Sequence, residues 1–184
     1  MIEYDPPVYR PPGEWRSFLV QATIGCSHNG CTFCGVYKGK KFRIRPMDDI
    51  IGDIREAAAF YNQYEKVFLC DGDAIAMKTE DLLEILREIK QDFPHCRLIS
   101  TYAGPKSTLS KTAAELKILH DAGLGRAYLG IETGMESLLK STNKGVSRAE
   151  MLEAGLRLRN AGIDLWGIIL IGLGGKPLSM ENAR

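Results

Sequence analysis

Five short apolar runs constrain this fold more than any other feature, because each of the first four leads through a loop into a stretch with helical periodicity. The runs cover residues 18–24, 67–70, 98–101, 127–131 and 166–171. They are mostly continuous rather than alternating, the pattern of strands covered on both faces in a parallel sheet. Ile50, Ile54, Ala57 and Tyr61 make one helical stripe, and Leu82, Leu86 and Ile89 a second. A third helix is expected over residues 110–122, closed by Gly123. The fourth opens on Ser147-Arg148-Ala149-Glu150, a capping-box pattern, and is closed by Gly162.

Strict alternation of strand and helix predicts a parallel sheet with right-handed crossovers. Five units are too few to close an eight-stranded barrel, which leaves an open sheet or an incomplete barrel. Residues 1–16, with Pro6, Pro7, Pro11, Pro12 and Gly13, read as an N-terminal arm, and 17–184 as one core domain. Residues 179–184 read as the first turn of a fifth helix, so the core is expected to be C-terminally incomplete.

Composition excludes several classes. The 184 residues carry 24 Lys+Arg against 23 Asp+Glu, a formal charge of +1, which argues against a general polyanion binder. Nucleic acid is neither indicated nor excluded as a partner. Hydrophobic residues at 45% and charged residues at 26% are ordinary for a globular domain. The longest apolar stretch, 166–173, falls far short of the roughly 20 residues of a spanning helix. No membrane partner is expected, and the start of the chain has neither a basic region nor an apolar one. A cytoplasmic location is the expectation.

Parallel α/β folds gather ligands at the C-terminal ends of their strands. Here those ends carry the unusual residues. Three cysteines follow the first run, Asp71-Gly72-Asp73 the second and Ser100-Thr101-Tyr102 the third. Glu132-Thr133-Gly134 follows the fourth, and the fifth runs into Gly172-Leu173-Gly174-Gly175. That last stretch lacks the Gly-Lys-Ser/Thr of a phosphate-binding loop.

The sharpest motif is Gly25-Cys26-Ser27-His28-Asn29-Gly30-Cys31-Thr32-Phe33-Cys34. Three thiolates on one short loop can hold three irons of a cubane cluster and leave the fourth open to a ligand. The rival is a non-catalytic zinc module using Cys26, His28, Cys31 and Cys34, although zinc sites usually join two separated ligand pairs.

The loop resembles that of the radical S-adenosylmethionine superfamily, with Phe33 at the aromatic position before the last cysteine. Four residues separate Cys26 from Cys31, where the usual superfamily motif has three. A branch of the superfamily with Cys-Ser-His-Asn-x-Cys-Thr-Phe-Cys loops shows the same longer spacing. The resemblance runs from about Ser17 onward. It implies a parallel-stranded, incomplete (β/α)6 TIM-like barrel, here of about five βα units, with Cys26, Cys31 and Cys34 ligating a [4Fe–4S] cluster.

The resemblance also implies that Asp71, Gly72 and Asp73 replace the superfamily's Gly-Gly-Glu motif, which holds the methionyl ammonium of S-adenosylmethionine. Phe33 belongs to the same cofactor wall. Glu132 stands at the ribose-binding position, and Ile169 and Ile171 belong to a fifth-strand motif that packs on adenine. The implied chemistry is reductive cleavage of the cofactor to methionine and a 5′-deoxyadenosyl radical, which abstracts hydrogen from a substrate the sequence does not name. The implied partner is a reductant such as flavodoxin or ferredoxin, the class that of an iron–sulfur oxidoreductase. A truncated core that binds a cluster without turnover is the other alternative.

The remaining polar residues read blandly. Cys70 and Cys96 are expected in the core. Lys38, Lys40, Lys41, Arg43 and Arg45 read as a solvated loop. His95 and His120 have no evident partner, and Lys144 and Arg148 are minor candidates for the cofactor carboxylate.

Overall fold

The computed structural model describes residues 2–182. Five strands form one parallel sheet in the order β1 (Phe18–Val20), β4 (Lys66–Leu69), β5 (Leu98–Ala103), β6 (Leu124–Glu132) and β7 (Asp164–Ile169). Each strand pairs with the next one in the series, so the sheet curls as a partial barrel, as the βα alternation predicts. The run at 18–24 is not one strand. It breaks after Val20, and Thr23–Ile24 leaves the sheet as β2 to pair antiparallel with β3 (Arg43–Ile44). This two-rung ladder closes the base of the loop that carries the cysteines.

The helices cover one face of the sheet. On α1 (Met47–Phe60) Ile50, Ile51, Ile54 and Ala57 are buried, and on α2 (Thr79–Asp92) Leu82, Ile85, Leu86 and Ile89. They pack on Phe18, Val20, Val67, Leu69 and Ile99. The third expected helix is α4 (Ala113–Asp121), which starts three residues later than expected, and a short α3 (Pro105–Ser110) that was not expected precedes it. Thr112 divides them. Its hydroxyl accepts from the Glu115 amide, and Glu115 accepts from the Thr112 amide, so a capping box fixes the start of α4. The same device at Ser147 and Glu150 starts α6 (Arg148–Asn160), as expected. Gly123 and Gly162 follow α4 and α6 at φ +117° and +91°, the left-handed conformation that ends a helix and favours glycine. A short α5 (Glu136–Ser141) was not legible in the sequence. The final segment, α7 (Gly175–Asn182), starts earlier than expected, and Ala183 and Arg184 lie outside the described residues.

The arm lies against the other face. Tyr4 Oη donates to the Leu19 carbonyl (2.8 Å), and Asp5 exchanges two hydrogen bonds with the Gln21 side chain. Glu14, fully buried, accepts from Tyr128 Oη (2.7 Å) and Ser17 Oγ (2.5 Å). Among the described residues no helix is long and apolar enough to cross a membrane.

Candidate active site

A cavity of about 380 Å³ opens at the C-terminal ends of the strands. Cys26, Cys31 and Cys34 line it, and all three are free thiols of intermediate exposure. Burial pushes the Cys31 thiol up, and the nearby Lys144 ammonium opposes that shift. Several hydrogen bonds tie the loop that carries them to its surroundings. The Thr32 amide donates to the Thr142 carbonyl (2.9 Å), Asn143 Nδ2 donates to the Gly30 carbonyl (3.0 Å), and Asn29 Nδ2 donates to the Tyr37 carbonyl (2.8 Å).

His28 also lines the cavity, but its Nε2–H donates to the Asn143 carbonyl (2.7 Å) and its ring packs over Gly145. Among the described residues no three of His, Cys, Asp and Glu converge as the ligands of a single ion. Cluster ligation does not ask for that convergence, because each thiolate holds a different iron. The donor set therefore fits a cluster better than a Cys₃His zinc site.

The Asp-Gly-Asp segment has three separate jobs. Asp71, at φ +63°, is fully buried and turned away from the cavity. Its carboxylate accepts from the Gly25 amide (2.7 Å), Gln21 Nε2 (3.1 Å) and Lys40 Nζ (3.2 Å), which fixes the entry to the cysteine loop. Gly72 lines the cavity where the chain passes Cys26. A Cβ there would stand 2.6 Å from Cys26 Cβ and 2.9 Å from its Cα, so only glycine allows this approach. Asp73 lines the cavity with its carboxylate buried. It accepts from Ser27 Oγ, from Ser107 Oγ (2.7 Å) and from the Gly104 amide (2.8 Å). Burial raises its pKa above the usual carboxylate range, and these hydrogen bonds pull it back.

Lys40 corrects the reading of the basic run as a solvated loop. It is buried, pairs with Asp71 and donates to the Asp5 and Pro7 carbonyls (2.5 and 2.9 Å), joining the arm to the site. Arg45 is also engaged, with Asp53 (2.7 Å).

Opposite the cysteines, β6 ends in a register shift between Gly130 and Glu132. Glu132 has φ +63°, a conformation that costs a non-glycine residue about 1–3 kcal/mol. The irregularity turns its side chain into the cavity, where Oε1 accepts from Lys144 Nζ (3.0 Å). Lys144 Nζ lies 5.9 Å from the Phe33 ring centroid, and Phe33 lines the same wall. Arg148 lies off the cavity, and its amide donates to Glu136 (2.7 Å).

The fifth strand places Ile168, not Ile169 or Ile171, against the cavity. Alternation explains this: Trp166 and Ile168 share the inner face, so Ile169 points the other way. Ile171, past the end of β7, is almost fully exposed. Tyr102 and Tyr128, from the middle of the sheet, complete the floor. Cys70 and Cys96 lie off the cavity; Cys70 is fully buried as expected, whereas Cys96 is half-buried at the edge of the core.

The chain matches the sequence profile described as the Radical SAM superfamily over residues 20–182. The chain belongs to the radical SAM superfamily. This radical SAM chain is 28% identical over 167 residues to 4′-phospho-dehydrooxetanocin synthase of Priestia megaterium, covering 81% of itself and 22% of that protein. It is 31% identical over 168 residues to the tRNA-2-methylthio-N(6)-dimethylallyladenosine synthase of Geobacter metallireducens, covering 86% of itself and 37% of that protein. The chain thus spans well under half the length of these relatives. The structure of the cobalamin-dependent radical enzyme OxsB, solved with aqua-cobalamin and S-adenosylmethionine bound, superposes with a TM-score of 0.68 at 18% identity. That match covers 92% of this chain and 26% of OxsB. The fold is therefore that of the radical SAM barrels, and the family is one of enzymes that work with a [4Fe–4S] cluster and S-adenosylmethionine.

Proposed function

We propose that this chain is a radical-generating core in which Cys26, Cys31 and Cys34 hold a [4Fe–4S] cluster and the adjoining cavity takes S-adenosylmethionine. The observation that carries the reading is the convergence of the three thiols with Gly72, Asp73 and Glu132 on one cavity. When bound, the cluster supplies the electron that splits the sulfonium into methionine and a 5′-deoxyadenosyl radical, which takes a hydrogen atom from the substrate.

The chain's own residues orient and shield that reaction. Gly72 lets the backbone pass beside Cys26. Asp73, fixed by Ser27, Ser107 and Gly104, sets its carboxyl group beside the place of the cofactor's ammonium. Glu132, held by Lys144, stands where a ribose hydroxyl finds an acceptor. Phe33, Tyr102, Tyr128 and Ile168 keep water off the reacting centre. A flavodoxin- or ferredoxin-type reductant is the electron source in this reading.

The test is anaerobic reconstitution with iron and sulfide, then a dithionite-driven assay for 5′-deoxyadenosine. The expected result is about four irons per chain with product formed, and both lost in Cys31→Ala. Stoichiometric zinc without iron uptake would overturn the reading.

A further inference from the structure

The cysteine loop holds one buried polar atom that the fold leaves unanswered. Tyr37, three residues past Cys34, is 6% exposed and lines the cavity. Its phenol oxygen is buried and has no hydrogen-bond partner among the described residues. The similarly unpartnered atoms of Thr23, Asp92, Ser100 and His120 belong to residues away from the cavity. A buried hydroxyl without a partner is a net cost to a folded chain, and such a group asks for a ligand.

The ring is not free to turn away. Tyr9 of the arm packs edge-on against it with centroids 6.1 Å apart, and Lys40 Nζ lies 5.7 Å from its centroid. Lys40 is itself fixed by Asp71 and the arm carbonyls. Burial first, and then the charges of Asp71, Tyr102, Cys70 and Cys26, push the pKa of the phenol up. Asp71 is already occupied by Gln21, Gly25 and Lys40. Tyr102 is another phenol, and Cys70 is a fully buried core thiol. Cys26 alone among the four becomes a stronger acceptor when the site is filled, because ligation makes its sulfur part of an anionic cluster.

We propose that the Tyr37 O–H donates a hydrogen bond to a cluster sulfur on the Cys26 side and so raises the reduction potential of the cluster. The inference rests on the cluster reading given above. The phenol keeps its proton throughout. A donor to a cluster sulfur stabilises the more negative, reduced state.

Tyr37→Phe removes only the hydroxyl, so its effect changes sign between the empty and the loaded chain. Wild type and variant are each melted before and after anaerobic loading with iron and sulfide, and the cluster is titrated under an EPR readout. The empty variant is expected to melt at or above wild type. Loading should raise its melting temperature by less, and its cluster potential should move to a more negative value. An empty variant that melts lower, with an equal gain on loading, would show that the hydroxyl has a protein partner and overturn the assignment. So would an unchanged potential accompanied by weaker S-adenosylmethionine binding by calorimetry, which would turn the hydroxyl toward the cofactor instead. A wild-type chain that takes up no iron would defeat the cluster reading itself. A wild type that loads normally beside an unshifted variant would defeat the Tyr37 assignment alone.

Discussion

On the helix-facing side of the sheet, Val20, Val67, Leu69, Ile99 and Ala127 are aliphatic and almost wholly inaccessible. On the cavity side β4, β5, β6 and β7 present Phe68, Tyr102, Tyr128 and Trp166, each in T-shaped contact with a neighbour, with centroids 5.1–6.1 Å apart. Both sides exclude water near the centre, yet they are built for different ends. On the aliphatic side the buried Thr101 hydroxyl is answered by the Leu69 carbonyl (3.1 Å), so burial there at roughly 25 cal/mol per Å² translates directly into stability. The aromatic side is graded: Phe68 is 0% exposed, Tyr128 3% and Trp166 46%. Its phenols need partners, and one of them, Tyr128, finds Glu14 of the arm. Stability is concentrated on one face, and the shape and polarity of the cavity on the other.

This division predicts separable effects. Leu69→Ala empties a fully buried site on the helix side and should cost about 3 kcal/mol in urea denaturation. Iron bound per folded chain should be unchanged, since no cavity residue moves; a parallel loss of loading would break the division. Tyr128→Phe keeps the ring and removes one donor to a fully buried carboxylate, which retains the Ser17 hydroxyl and the Arg126 guanidinium at 3.8 Å. The expected cost is about 1–2 kcal/mol. A loss as large as that of Leu69→Ala would show that the cavity face carries stability equally.

The aromatic floor was written in the sequence but masked by its setting. Tyr102, Tyr128 and Trp166 stand opposite one another in register, one per strand. In the runs at 67–70 and 127–131 the aromatic alternates with aliphatics at period two, Val67-Phe68-Leu69 and Ala127-Tyr128-Leu129. A run that is apolar on both faces hides this alternation, because hydropathy does not distinguish Phe from Leu. The βα order, the cysteine loop and both glycine-closed helices were legible because each depends on local chemistry. The roles of Asp71 and Lys40 were not. Their partners lie 31–50 residues away in sequence, or in the arm, and no spacing rule links them. The choice of Ile168 over Ile169 depended on where the strand's alternation begins, which the register with Tyr128 fixes. The start of α4 at Thr112 could have been read: Thr112 and Glu115 are the same capping box that marked Ser147 and Glu150.

That capping box gives the smallest predicted effect, outside both faces of the sheet. Glu115 Oε2 accepts from the Thr112 amide and hydroxyl (2.8 Å each), and Oε1 accepts from Thr79 Oγ1 (2.7 Å), so one carboxylate starts α4 and ties it to α2. The Thr112 amide first, then the two hydroxyls, hold its pKa down at about 2, against an ordinary 4.5. A depressed carboxylate contributes stability above its unfolded pKa and loses that contribution as pH falls through its folded pKa. The window therefore runs from about pH 4.5 down to about pH 2. Glu115→Gln keeps an acceptor for the Thr112 amide but does not titrate. Because every other carboxylate titrates alike in both chains, the difference between their melting temperatures isolates Glu115. Wild type should melt higher than the variant at pH 5, and the gap should close toward pH 2. A gap that stays constant with pH would mean that the cap acts through geometry alone, and that the charge at the start of α4 adds nothing to the link between the two helices.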